Sequence, residues 1–321
     1  MTRALARSAV SPDPARVTVT VGERELQLSN LEKPLFPTGF TKGDMLDYYA
    51  RIAPAMLPHL LDRPVTVKRF PNGIDHQGFI EKNVPKHAPD WIRTLTVDRK
   101  GVDRWGRKSE EGNGRETTEF VVVDELATLM WLVNLAAVEF HTPMWRAEES
   151  NEPGVPDLLV FDLDPGPPAT ISECCQVALQ LRQRAGRDHI DLVAKTSGSK
   201  GLQLYAPIAD KQWPADGTGT FAHELARTLE KEDPGLVVSR MAKDLRRGRV
   251  LIDWSQNNSS KTTVSPYSLR AIDGPSVSTP VSWDEVSAGA GGDGDRLLRF
   301  TPSDVLARVA DMGDLFRVLN P

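Results

Sequence analysis

The sequence predicts an α/β fold, and three observations carry the prediction. Short apolar runs of strand length recur along the chain and end in turn signals; the clearest is Leu158–Gly166, L-L-V-F-D-L-D-P-G. Between such runs lie longer stretches opened by capping residues, such as Thr41 with Asp44 three positions on. The chain has 321 residues, 40% hydrophobic and 26% charged, enough for a full core in one large domain or two lobes.

Residues 1–16, Ala-, Arg- and Ser-rich with two prolines and no periodicity, read as a flexible tail. A hairpin follows, Val17–Val21 and Leu26–Leu28 about the turn Gly22-Glu23. The Thr41/Asp44 capping box predicts a helix from Lys42 to about Leu60, with Lys33 and Lys42 flanking its start. Free backbone N–H groups and two ammonium groups there suit a phosphate, although such lysines also fit a solvated surface. Pro64–Phe70 is a strand carrying Lys68 and Arg69 at its end. Gly78–Asn83 sets Phe79 and Ile80 beside Glu81 and Lys82; Phe79 fits stacking on a base or sugar and fits the core equally well. Trp91–Val123 reads as two or three strands around a mobile polar loop, S-E-E-G-N-G-R-E. Glu125–Phe140 reads as a buried helix, N-capped by Asp124 and stopped at F-H-T-P, which puts His141 at its end. Thr170 to about Arg184 is helical, Asp191–Lys195 and Leu202–Pro207 are strands joined by T-S-G-S-K-G, and Thr218–Lys231 is helical. Five basic residues, Arg240, Lys243, Arg246, Arg247 and Arg249, precede the strand V-L-I-D. Ser287–Asp295, S-A-G-A-G-G-D-G-D, is flexible by composition, and a capped helix near Ser303–Met312 closes the chain.

The chemistry concentrates at acidic strand ends. Side chains alternate along a strand, so Asp162 and Asp164 face the same way. Two such carboxylates repel each other and lose hydration unless a cation lies between them, and a hard ion such as Mg²⁺ or Mn²⁺ prefers oxygen ligands. Alone, D-x-D-P-G also fits a polar strand end and turn. Asp253 closes a second apolar strand and adds a third carboxylate, crowded by Ser255, Gln256, Asn257 and Asn258. The T-S-G-S-K-G turn can aim N–H groups, two hydroxyls and an ammonium at a phosphate. It is not a P-loop, because the G-x-x-x-x-G-K-[ST] spacing is absent and a strand follows it. Three carboxylates, a phosphate turn and scattered Lys and Arg together fit nucleotidyl transfer. That reaction uses two divalent ions about 3.5–4 Å apart and cations that hold a triphosphate in line.

A formal charge of −5 excludes a uniformly basic nucleic-acid coat and leaves room for a local basic groove. The adjacent Cys174 and Cys175 form neither a disulfide framework nor a zinc spacing. No signal-peptide core opens the chain, and no run approaches the roughly 18 apolar residues of a membrane span, so a cytoplasmic protein is expected.

In order along the chain, N-L-E-K-P-L-F-P, F-I-E-K-N, W-L-V-N-L-A-A-V-E-F-H-T-P, V-F-D-L-D-P-G, T-S-G-S-K-G-L and I-D-W-S-Q-N-N-S-S-K-T-T-V-S-P-Y-S-L-R match a known pattern. From about Leu28 to the C-terminus the sequence resembles the polymerase domain of the bacterial DNA ligase D family, within the archaeo-eukaryotic primase superfamily. The resemblance implies an α/β primase-like core over residues 17–321 as a single domain. Its central sheet would bear the metal site, with a second sheet and flanking helices beside it. It implies that Asp162, Asp164 and Asp253 are catalytic and bind two Mn²⁺ or Mg²⁺ ions. Lys68, His141, Ser197, Ser199, Lys200, Gly201, Gln256 and Arg270 would bind the nucleotide, with His141 near the sugar. Asn30, Lys33 and Lys42 would grip a DNA 5′-phosphate, and Phe79 would stack on DNA. The sequence departs from the family at Ile80, where an aromatic is common, and at Gln203, where the family usually has His.

The implied function is template-directed nucleotidyl transfer from NTP or dNTP, filling short gaps at broken or excised DNA and favouring ribonucleotides. With no ligase or phosphoesterase stretch, the chain is expected to act as a stand-alone monomer, with a separate ATP-dependent DNA ligase and Ku as partners. A de novo primase is a second reading. A catalytically silent DNA-end-binding module is a third, which has no need of three intact carboxylates.

Overall fold

Two six-stranded sheets carry the fold. The computed structural model describes residues 6–7, 16–98, 117–208, 213 and 217–320. The first sheet runs Val237–Val238, Val250–Asp253, Leu158–Pro165, Leu202–Pro207, Val193–Thr196, Pro280–Val281, antiparallel except at the Val237–Val238 edge. Leu158–Pro165 therefore sits inside the sheet, and its alternation sorts its side chains cleanly. Leu159, Phe161 and Leu163 join the main core, whereas Leu158 and Val160 pack with Tyr205, Phe316 and Leu319 on the other face. Asp162 and Asp164 continue that second face, as the period of two requires.

The second sheet runs Thr263–Val264, Ala137–Thr142, Pro64–Arg69, Thr117–Val122, Thr94–Asp98, with Phe79–Glu81 also paired to Pro64–Arg69. Helix Lys42–Leu60 begins at the expected capping box: the Thr41 hydroxyl accepts from Asp44 N, and the Asp44 carboxylate accepts from Thr41 N. Helix Ile171–Arg187 starts at the same device, Thr170 with Glu173, and buries Cys174 and Cys175. One apolar core runs from Val19 to Val305 and takes in residues of both sheets. Among the described residues no helix is long and apolar enough to cross a membrane.

The structure departs from expectation in four places. The helix expected over Glu125–Phe140 ends at Asn134; Ala136 takes φ +61 and the chain reverses into strand Ala137–Thr142. Ala137, Val138, Glu139 and Phe140 are all buried, so the run shows no alternation that would distinguish a strand from a buried helix. Its N-cap is Glu125 rather than Asp124, with no side-chain cap bond. Within the expected tail, Ala6–Arg7 pair with Val19 and Thr20, while residues 1–5 and 8–15 lie outside the described residues, as does the polar loop 109–116. Finally, Ser287–Asp295 is not loose but coils in helical turns against helix Ile171–Arg187. Gly294 donates its N–H to the Ser172 hydroxyl at 3.0 Å, and a Cβ there would lie 2.7 Å from that oxygen, so the glycine serves close packing.

Candidate active site

The sheet register assembles a polar row. Lys195 is paired with Gln203, Gln203 with Asp162, and Asp162 with Asp253, across four adjacent strands. Directly paired residues lie about 4.5–5.5 Å apart, so two carboxylates are forced together with Asp164 two residues further along. Burial, together with the charges of Asp253 and Asp164, pushes the Asp162 carboxyl up to about 6, against the opposing hydrogen bond from Gln203. Gln203 also accepts from Lys195 Nζ at 2.5 Å, and Lys195 reaches Ser278 Oγ at 2.6 Å. Lys195 is fully buried, which holds its pKa well below that of an ordinary lysine despite the attraction of Asp162.

Each flanking carboxylate has protein partners. Asp253 Oδ1 accepts from Ser255 N and Oγ, and Oδ2 accepts from Gln256 Nε2 at 2.8 Å. Lys261 in turn donates to Ser255 Oγ. Exposed Asp164 faces Arg246 Nη1 at 3.5 Å. Gly166 brings Arg246 there: the loop backbone crosses so closely that a Cβ on Gly166 would lie 1.9 Å from Arg246 O. The donor set fits a hard divalent ion: three oxygen-bearing side chains in mutual repulsion, one with a raised pKa. Among the described residues, however, no three His, Cys, Asp or Glu side chains already converge on one point.

Asn257 fixes this turn. It is buried, and its amide accepts from Val160 N at 2.9 Å and donates to Val160 O at 2.8 Å, an added rung on the DxD strand. Its type and position carried no signal in the sequence beyond the polar crowd after Asp253.

The T-S-G-S-K-G turn is more self-contained than its composition suggests. The N–H groups of Ser199 and Gly201 both donate to Ser197 Oγ, at 3.3 and 3.1 Å. Ser199 and Lys200 are exposed, while Ser197 and Gly201 are buried. Arg270 Nη1 donates to Ser197 O at 2.6 Å and anchors the turn.

Lys68, His141 and Arg270 do come together, around a residue that the sequence did not single out. Glu139 is 3% exposed. Its Oε2 lies 2.9 Å from His141 Nε2 and 3.4 Å from Arg270 Nε, and its Oε1 accepts from Ala271 N at 3.0 Å with Lys68 Nζ at 3.8 Å. Burial alone would raise its pKa, but His141 and Arg270 bring it down to about 2. His141 is lowered by burial, against the pull of Glu139. A helix reading of this stretch concealed Glu139; as a strand residue two before His141, it shares that residue's face.

At the start of helix Lys42–Leu60, Lys33 and Lys42 lie near each other, but the amides are not free. Lys42 N donates to Lys33 O, Gly43 N to Leu31 O, and Asp44 N to Thr41 Oγ1. Any phosphate there would meet ammonium groups rather than helix amides. Lys42 is buried and donates to Ser29 O at 2.6 Å; burial, then Lys33 and Arg69, lower its pKa to about 8. Lys33 reaches Asn72 Oδ1 at 3.4 Å, and exposed Asn30 turns the chain at φ +54. Phe79 is 45% exposed, with Arg69 over its ring at 5.2 Å, and Ile80 beside it is 66% exposed.

Residues 41–316 match the family described as LigD, primase-polymerase domain. The chain belongs to this family. It is 38% identical over 297 residues to the multifunctional non-homologous end joining protein LigD of Mycolicibacterium smegmatis, covering 92% of this chain and 36% of that protein. It is 39% identical over 307 residues to the corresponding repair protein of Mycobacterium tuberculosis H37Rv, covering 94% of this chain and 38% of that one. The chain thus spans less than two fifths of the length of these relatives. The polymerase domain from Mycobacterium tuberculosis ligase D, solved in complex with DNA, superposes with a TM-score of 0.81 at 40% identity, covering 92% of this chain and 98% of that one. The primase-polymerase fold expected from the sequence is therefore the fold observed.

Proposed function

We propose that this chain is a template-dependent DNA repair polymerase that fills short gaps at broken or excised ends, with ribonucleotides preferred. The observation that carries the reading is the register placing Asp162 beside Asp253, with the Ser197 turn following a nearby strand of the same sheet and anchored by Arg270, in a LigD primase-polymerase fold. Asp162, Asp164 and Asp253 would hold two Mn²⁺ or Mg²⁺ ions, which when bound supply an activated 3′-hydroxyl and charge neutralisation on the transferred phosphoryl group. The protein's own side chains supply position. Arg270, Lys68 and exposed Lys200 hold the triphosphate, Ser197, Ser199 and Gly201 shape the turn beneath it, Gln256 orients Asp253, and His141 faces the sugar. Asn30, Lys33 and Lys42 grip the downstream 5′-phosphate, and Phe79 stacks on the DNA.

The partners of this reading are gapped or broken DNA, NTP or dNTP, and a separate ATP-dependent ligase and Ku. The setting is the cytoplasm, on the nucleoid, with the chain acting as a monomer.

The test is single-nucleotide incorporation on gapped DNA with Mn²⁺, with and without the downstream 5′-phosphate, comparing ribo- with deoxyribonucleotides. Phosphate-dependent incorporation favouring ribonucleotides is expected. Indifference to the phosphate would point to a primase instead. Binding to DNA without any incorporation would leave only an end-binding module.

A further inference from the structure

Glu139 is buried, engaged by three side chains and separate from the acidic row; it lies in the W-L-V-N-L-A-A-V-E-F-H-T-P stretch, but neither nucleotide nor metal binding has so far given it a role. Its partners come from three elements: His141 from its own strand, Lys68 from the neighbouring strand, and Arg270 from strand Leu269–Ile272. Arg270 then reaches across to the Ser197 carbonyl of the other sheet. One carboxylate thus ties together Lys68, His141 and Arg270, and Arg270 carries the connection to the Ser197 turn of the other sheet.

Its chemistry also settles the state of the imidazole. An ionised carboxylate only accepts, so His141 Nε2 must be the nitrogen that carries the proton in the 2.9 Å contact. In the neutral ring Nδ1 is then an acceptor, and among the described residues it has no partner. A triphosphate offers no donor to such a nitrogen; a sugar hydroxyl does.

We infer that Glu139 is a positioning residue of the nucleotide pocket. It locks His141 in the Nε2–H tautomer so that Nδ1 can accept from a sugar hydroxyl, and it holds Arg270 and Lys68 in place before the nucleotide arrives. The role rests on the polymerase reading above for the nature of the ligand, but the locking itself is a property of the free chain.

The experiment uses the full chain. First, ¹⁵N-histidine NMR of the unliganded protein should show His141 neutral and protonated at Nε2, and Glu139→Gln should give a tautomer mixture. Second, GTP affinity measured by calorimetry without DNA should weaken about 10- to 100-fold in Glu139→Gln. Glu139→Asp, which keeps the charge on a shorter arm, should fall between. Third, on gapped DNA the nucleotide KM should rise while kcat at saturation stays within about threefold, the pattern of a lost binding contact.

An Nδ1–H tautomer in the wild type overturns the inference. So does unchanged GTP affinity in Glu139→Gln, or a loss shared equally by kcat and DNA affinity. If Glu139→Gln does not fold, the wild-type tautomer decides alone. If the wild type binds GTP but incorporates nothing, the polymerase reading falls while the first two measurements still judge Glu139.

Discussion

The two carboxylate centres are built on opposite electrostatic terms. Around Asp162 like charges are brought together by the register, and the carboxyl is pushed up to about 6. Around Glu139 one buried carboxylate receives a ring N–H, a backbone N–H and two cationic side chains, and it drops to about 2. The first centre is electrostatically unfinished and gains from an incoming cation; at the second the carboxylate is already matched by opposite charge. On the proposed reading, the contrast separates the place where chemistry is done from a place that holds other groups still.

The largest expected effect breaks the unfinished centre. Asp162→Asn should lower incorporation at least about 10³-fold, read by primer extension, because it removes a ligand oxygen's charge where phosphoryl charge must be neutralised. It should not lower the Tm, since it relieves repulsion. Folded Asp162 holds a proton more tightly than it does unfolded. Its contribution therefore lowers stability as pH rises from about 4 to 6, and that slope should vanish in the variant. A variant that loses stability and keeps its activity would reverse the roles of the two centres.

Glu139→Ala should do the opposite in equilibrium urea unfolding, costing about 1–3 kcal/mol by leaving the half-buried His141 and Arg270 without their acceptor. Glu139 lends stability that is full above about pH 4.5 and is lost as pH falls toward 2, the reverse slope in a different window. A cost below about 1 kcal/mol would mean the centre is not closed.

A smaller effect sharpens the comparison. Mn²⁺ at about a hundredfold excess over its Kd should stabilise the wild type by about 2–3 kcal/mol in thermal melts, and EDTA should reverse it. Asp162→Asn should lose most of that gain. An undiminished gain would place the ion elsewhere.

The smallest effect concerns Lys42. Its folded pKa of about 8 means that half its charge is gone at that pH. The preference for 5′-phosphorylated over unphosphorylated gapped DNA should fall a few-fold between pH 7 and 9. Lys42→Arg, which keeps its charge, should flatten that dependence.

The acidic centre was legible because strand alternation and turn chemistry are local. Asp162, Asp164 and Asp253 are each placed by the few residues around them, and the Lys42–Leu60 and Pro302–Met312 helices by their capping boxes. The Glu139 centre was not. Its strand is buried on both faces, so apolar periodicity could not tell it from the preceding helix, and the break depends on a left-handed Ala136 that no propensity favours. The occupied amides at Lys42 and Gly43 were equally hidden, because Lys33 and Leu31 supply acceptors through a loop whose path only the tertiary fold fixes.

The pocket's cations and their anchor are contributed by Lys68, Glu139, Ser197 and Arg270, which fall at wide, nearly regular intervals along the chain. No contiguous fragment holds more than part of the set. On the proposed reading, a cut between Glu139 and Ser197 would leave two pieces, each retaining half of the nucleotide grip. Recovery of GTP binding on mixing them would report reassembly of the two sheets, which makes this fold a natural starting point for a split reporter.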